Sequence, residues 1–135
     1  MVGDDRGRVG RQGEAIACAV LKKHGYKILE KNYRSRLGEI DIIAQDGDSL
    51  VFVEVKTRRT QGFGSPKRGV TPIKQRKLSM AALEYLKKTQ QITKKARFDV
   101  VAIHLSSNYP EESVIWRLRP GAHVEIIKNA FDLAY

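Results

Sequence analysis

The sequence predicts a mixed α/β domain, with a mixed β-sheet covered by helices in the order α-β-β-β-α-β-β. Three observations predict it. Two segments, Gly10 to His24 and Thr71 to Lys88, carry apolar residues at helical spacing. Between them stand two aliphatic runs, Ile40 to Ala44 and Leu50 to Val55, separated by the turn tripeptide Asp46-Gly47-Asp48. The chain has 135 residues, 41% hydrophobic and 30% charged, a balance that suits one soluble domain with a sizeable core.

Residues 1–8 (MVGDDRGR) are polar and Gly-containing, so they are expected to be disordered, leaving 9–135 as a single domain. The first helix presents Ile16, Ala17, Val20 and Leu21, and Gly25 stops it. Tyr26 to Tyr33 is β-like, and the two aliphatic runs then read as a hairpin. Residues 60–72 (TQGFGSPKRGVTP) are rich in Gly, Pro and basic side chains, which predicts a loop. The second helix starts at Thr71 or Pro72 and runs to Lys88, with Ile73, Leu78, Ala81, Ala82, Tyr85 and Leu86 as its apolar stripe. Phe98 to Leu105 and Val114 to Leu118 read as further strands, with Asn108-Tyr109-Pro110 as the turn between them. The tail from Val124 to Tyr135 fits either a strand or a short helix.

Composition excludes several classes. Cys18 is the single cysteine, so there is no disulfide framework and no Cys-based zinc site, and a reducing, cytoplasmic setting is expected. Bilayer spans need ~18 apolar residues in a row, and no run approaches that length. The start, Met1-Val2-Gly3-Asp4-Asp5, lacks a signal-peptide core, which argues against export. With 25 Lys+Arg against 15 Asp+Glu the formal charge is +10, and a polyanion is the expected partner. From Lys56 to Arg97 thirteen basic residues face one acid, Glu84, so the whole excess lies in one third of the chain. Such a stretch can form a single face that displaces counterions from a phosphate backbone, or it can be a solvated helix face plus a loop.

Side chains alternate faces along a strand, which divides the hairpin in two. One face holds Ile40, Ile42, Ala44, Val51, Val53 and Val55. The other holds Glu39, Asp41, Ile43, Leu50, Phe52, Glu54 and Lys56, apolar near the turn and charged at the far end. A two-residue turn at Gly47-Asp48 puts Asp41 across from Glu54; a turn at Asp46-Gly47 shifts the pairing but keeps the shared face, and a three-residue loop separates them unless a bulge restores the phase. Gathering carboxylates at the edge of a core is costly, and a divalent cation relieves that cost, because Mg²⁺ takes one or two carboxylates with waters and a phosphate. Lys56, on the same face, can orient a water or neutralise developing charge. The same residues also fit an ordinary cross-strand ion pair worth at most ~1 kcal/mol. Glu14, near a helix start, fits a capping role or a place beside the charged end of the hairpin.

Together, Gly13-Glu14, Gly38-Glu39-Ile40-Asp41, Phe52-Val53-Glu54-Val55-Lys56 and Arg97-Phe98-Asp99-Val100 resemble the YraN-like family of small, largely uncharacterised bacterial proteins, over nearly the whole chain. Through its Asp and Glu-x-Lys spacing that family is similar to the PD-(D/E)xK nuclease superfamily and to archaeal Holliday junction resolvases. The resemblance implies a restriction-endonuclease-like core. It further implies Asp41 and Glu54 as ligands of Mg²⁺ or Mn²⁺, the Val55 carbonyl as a third donor, Lys56 as the catalytic lysine and Glu14 as an additional catalytic acid. A resolvase likeness also implies a homodimer. Two departures stand out: Ile40 replaces the usual Pro before the acid, and Ser79 follows Gln75 where the RecB-type branch has Tyr.

The expected function is therefore metal-dependent hydrolysis of phosphodiester bonds in DNA, structured or branched, with DNA favoured over RNA. Arg58, Arg59, Lys67, Arg68, Lys74, Arg76 and Lys77 are the expected backbone contacts, and Phe63 fits equally a base stack or wedge and a side chain packed back onto the sheet. The alternatives are a catalytically silent nucleic-acid-binding protein with the same fold and an RNA-associated factor. His24, His104 and His123 lie far apart without metal-ligand spacing, and Cys18 reads as a small buried hydrophobe.

Overall fold

The computed structural model describes residues 5–58, 70–106 and 121–133. Its elements are α1 (Asp5–Lys23), β1 (Lys27–Arg34), β2 (Glu39–Asp46), β3 (Ser49–Arg58), α2 (Pro72–Lys88), β4 (Ala96–Leu105) and β5 (Ala122–Phe131). The strands form one sheet in the order β1-β2-β3-β4-β5. Only β3 and β4 pair in parallel; the other neighbours are antiparallel. Among the described residues the α-β-β-β-α-β-β order and the helix-covered mixed sheet are those predicted, though the last strand is supplied by the tail and not by 114–118, and they are consistent with a restriction-endonuclease-like core.

Both faces of the central strands β2, β3 and β4 are buried. The α1 side packs Ile16, Ala17, Leu21 and Tyr26 on Ile42, Val51, Val53, Val101 and Ile103. On the α2 side, Leu78, Ala81, Ala82, Tyr85 and Leu86 pack on Ile43, Leu50, Phe52, Phe98 and Val100. Double burial explains why β3 and β4 read as nearly unbroken apolar runs, since neither face is left for water. Each large aliphatic side chain buried this way contributes ~1.5–3 kcal/mol. Cys18 is buried among them, as expected, and Phe52 is enclosed in an aromatic cluster with Tyr85 and Phe98.

Glycine marks the turns where the backbone needs a left-handed residue: Gly25 (φ 90°) ends α1, and Gly47 (φ 61°) lies in the hairpin between Asp46 and Ser49, which face each other. The second helix begins with Pro72, behind an N-cap in which Thr71 Oγ1 accepts the Lys74 N–H at 3.1 Å.

Four expectations change. The first helix starts at Asp5 rather than Gly10, inside the segment expected to be disordered. Helical hydrogen bonding propagates past the packed turns that the apolar stripe marks. Ile73, expected in the stripe of α2, is 68% exposed, because five residues before Leu78 it lies about 140° around the helix from the buried stripe. The tail forms β5, paired with β4 through Val100↔Ile127 and Ile103↔Val124. Finally, Ile40 packs on the α2 side with Tyr33 and Ile43, not beside Ile42. The segment 114–118, expected as a strand, and the turn before it lie outside the described residues.

Candidate metal centre and nucleic-acid interface

The slip at Ile40 has a local cause. Tyr33 pairs with Ile40 and Lys31 with Ile42, so Asn32 and Asp41 oppose each other. Asn32 adopts φ 53°, a left-handed conformation that Asn tolerates better than most residues. The alternation therefore changes phase at this point. It puts Ile40 and Ile42 on opposite faces and frees Asn32 and Asp41 from the regular ladder.

The β2–β3 ladder stops short of Asp41, its last pair being Ile42↔Val53. In its place the Asp41 carboxylate accepts the Val55 N–H at Oδ2, 2.8 Å away. The hairpin turn at Gly47-Asp48 is the first of the three weighed from sequence, and its register brings Asp41 level with Glu54. Glu54 is only 6% exposed, and burial followed by repulsion from Asp41 pushes its carboxyl up to about 8. Lys74 and Lys56 pull the other way without prevailing. Glu54 Oε2 is buried with no hydrogen-bond partner. Its nearest counterion is Lys74, from the first turn of α2, with Nζ 3.6 Å from Oε2.

Glu14 approaches from α1. Gly13, just before it, lies so close to β3 that an added Cβ would sit 1.8 Å from Thr57 Oγ1. Only glycine lets the helix reach the strand here. With its amide nitrogen turned toward the helix, Asn32 donates to Glu14 Oε1 at 3.1 Å and Oε2 at 3.2 Å. Burial and the Asp41 charge raise the Glu14 carboxyl, while the Asn32 bond lowers it. Glu14 thus belongs to the electrostatic surroundings of Asp41. Among the described residues no set of three His, Cys, Asp or Glu side chains is arranged to hold a metal.

Lys56 stands two residues after Glu54 on β3, held level with Ala102 by the parallel pairing. It is half-buried, and among the described residues it makes no ion pair. The donor set of Asp41, Glu54 and the Val55 carbonyl fits a hard divalent cation, which needs oxygen ligands and only one or two carboxylates. The orphaned Glu54 oxygen is the specific observation in favour of that fit.

On α2, Lys74 is half-buried while Arg76 and Lys77 are exposed; Arg58 is exposed at the end of β3. Gly38 fixes the helix against the β1–β2 connection, since an added Cβ there would lie 2.6 Å from the Lys77 carbonyl oxygen. Arg59, Lys67, Arg68 and Phe63 lie outside the described residues. The basic stretch does not form one face. Lys95 pairs with Asp48 at 3.2 Å and Arg97 with Asp46 at 2.6 Å, both at the opposite end of the sheet from Glu54. Sequence spacing could not reveal this, because β4 returns Arg97 beside Val51 near the hairpin turn.

That far end carries a second buried acid. Asp99, fully buried, accepts from Arg97 Nε at 2.9 Å, Tyr26 OH at 2.9 Å and Asn129 N–H at 3.0 Å. Burial, then the bond to Asp99, pushes the Tyr26 hydroxyl up to about 12, and the bond from Arg97 holds Asp46 below the ordinary carboxylate range. A cavity of about 350 Å³ opens nearby, lined by Leu86, Ile92, Phe98, Phe131 and Leu133, and none of the hairpin acids borders it. His104 and His123 face each other across β4 and β5, a juxtaposition their sequence separation conceals. Among the described residues no third ligand joins them.

Residues 13–103 match the model of the uncharacterised protein family UPF0102. The chain belongs to the UPF0102 family. It is 49% identical over 128 residues to a UPF0102 protein of Syntrophus aciditrophicus, covering 95% of this chain and 91% of the relative. A UPF0102 protein of Geotalea uraniireducens is 48% identical over 131 residues, 97% of this chain and 94% of its own length. The Rhodococcus opacus UPF0102 protein is 41% identical over 123 residues, covering 91% of this chain and 95% of the relative. The matched span of this UPF0102 chain runs from Gly13 to Ile103, and so takes in Glu14, Asp41, Glu54 and Lys56. Among the described residues no helix is long and apolar enough to cross a membrane.

Proposed function

We propose that this UPF0102 chain hydrolyses phosphodiester bonds in structured or branched DNA as a Mg²⁺- or Mn²⁺-dependent, resolvase-like endonuclease. The observation that carries the reading is the buried, unpartnered Glu54 Oε2 beside Asp41. A buried carboxylate oxygen without a donor is expensive, and a protein that retains one has left room for a cation. Asp41 and Glu54 would hold the ion, with the Val55 carbonyl as a further donor. Once bound, such an ion polarises the phosphodiester and lowers the pKa of an attacking water.

The remaining chemistry belongs to side chains of this chain. Lys56 sits on the Glu54 face of β3, where its ammonium can hold the attacking water or meet charge developing on the phosphate. Asn32 restrains Glu14, which keeps a negative potential behind Asp41. Arg58, Arg76 and Lys77 are exposed and contact backbone phosphates, which give position rather than sequence. Two strands of a junction require two sites, so the active form is a homodimer.

The test incubates the protein with labelled four-way junction, duplex or single strand in Mg²⁺, Mn²⁺ or EDTA. Metal-dependent nicking that disappears in Asp41→Ala and Glu54→Ala, while binding persists, is the expected result. A second reading, a silent nucleic-acid-binding protein with this fold, draws on the lack of a third closing acid among the described residues. Binding of all three substrates with no cutting in any metal would establish that reading instead.

A further inference from the structure

We propose that Lys74 is an internal counterion of Glu54 which a divalent cation displaces, releasing its ammonium to a nucleic-acid phosphate. The inference rests on the metal-centre reading above and assigns Lys74 a role beyond a general basic contact. Three observations support it. The Nζ–Oε2 separation is 3.6 Å, beyond hydrogen-bond length, and Oε2 stays unpartnered, so the pair is an attraction that a better ligand can replace. The separation is longer than the 2.6 Å of Arg97–Asp46 and the 3.2 Å of Lys95–Asp48, and comparable with the loose surface pairs Lys128–Asp46 at 3.5 Å and Arg34–Glu39 at 4.0 Å.

The Lys74 side chain is also 42% exposed, whereas that of Glu54 is 7% exposed. The acid is fixed and its partner can leave. Finally, the Lys74 backbone N–H is held by Thr71 Oγ1 at the N-cap, so the exchange needs rotation of a flexible four-carbon stem and no movement of α2. Swung outward, the ammonium joins the exposed Arg76 and Lys77 on the same helix.

The exchange makes cation and nucleic acid cooperative. A cation at Glu54 frees one positive charge for the backbone, and by linkage the nucleic acid tightens the cation by the same factor. Without a cation, Lys74 rests beside Glu54 and lowers the repulsion that the neighbouring Asp41 presents to phosphates. Lys74 is on this account a positioning residue that acts on two ligands in turn.

The test measures Mn²⁺ binding by the paramagnetic signal of free Mn²⁺ in wild type, Lys74→Met, Lys87→Met and Glu54→Gln. Lys87 lies in the last turn of α2 and controls for the loss of one positive charge. Lys74→Met is expected to bind Mn²⁺ about fivefold more tightly than wild type, the upper scale of one partly exposed ion pair, and Lys87→Met within about twofold. A second readout is the salt dependence of duplex DNA binding with and without Ca²⁺. Adding Ca²⁺ should steepen the log–log slope by about one relative to Lys74→Met, because one more phosphate contact is made. Equal Mn²⁺ affinity in wild type and Lys74→Met, with Glu54→Gln inactive in binding, defeats the displacement alone. Absence of Mn²⁺ binding in both proteins defeats the metal centre and the displacement together.

Discussion

Two aspartates interrupt this sheet in the same way, and their surroundings differ in one respect that separates architecture from chemistry. Asp41 accepts the Val55 N–H from the neighbouring strand and lies opposite Asn32, whose φ is 53°. Asp99 accepts the N–H of Asn129, whose φ is 52°, where the β4–β5 register shifts. Around Asp99 the protein supplies an arginine and a tyrosine hydroxyl, and the charge is answered. Around Asp41 it supplies two more carboxylates and leaves one oxygen of Glu54 bare. A satisfied buried acid holds strands together; the acids around Asp41 lack such partners, and a cation is what the proposed function would add there.

The comparison can be broken at its structural end with the largest effect. Arg97→Ala leaves Asp99 buried without its cation, and is expected to cost ~3–5 kcal/mol of stability in urea denaturation. Activity per folded molecule should fall far less, since Arg97 lies at the other end of the sheet. At the acid pair, Asp41→Ala should abolish metal-dependent nicking, on the order of a hundredfold or more, with nucleic-acid binding retained in a filter or anisotropy assay.

A smaller effect sharpens the contrast through pH. Glu54 is raised from its ordinary 4.5 to about 8, so the folded protein binds a proton there that the unfolded chain releases. Its contribution to stability is complete below 4.5 and declines as pH rises through 8. In EDTA the wild type should therefore lose ~2 kcal/mol between mildly acidic and mildly alkaline conditions, and Glu54→Gln should show a flatter profile. Adding Mg²⁺ should restore the wild type at the alkaline end and leave Glu54→Gln unchanged. Gly13→Ala tests the approach of α1: a methyl group driven against Thr57 should cost ~1–3 kcal/mol by overpacking and weaken cutting by moving Glu14.

Much of the fold was legible in the sequence because local signals agreed with burial. Leu78, Ala81, Ala82, Tyr85 and Leu86 read as one stripe and pack as one stripe. Asp46-Gly47-Asp48 read as a tight turn, and the adjacency of Asp41 and Glu54 followed from counting back along its two arms. The rest depended on tertiary placement. No periodicity announces that Asn32 turns left-handed and shifts the phase of β1 and β2, because that conformation is settled by the partner that Asn32 finds in Glu14. The attachment of Lys74 to Glu54 requires α2 to cross the end of β3, which spacing alone does not encode. The basic stretch appeared continuous, yet Lys95 and Arg97 are neutralised by acids from the hairpin turn. Ile73 carried the right residue type, but five residues before Leu78 it falls about 140° around the helix from the buried stripe and faces water.

The most direct measurement is the anomalous difference density of a crystal soaked in Mn²⁺. The account predicts a peak between the Asp41 and Glu54 carboxylates, about 2 Å from an oxygen of each, with the Lys74 ammonium withdrawn. Empty density there at saturating Mn²⁺, with Lys74 still resting on Glu54, would contradict it.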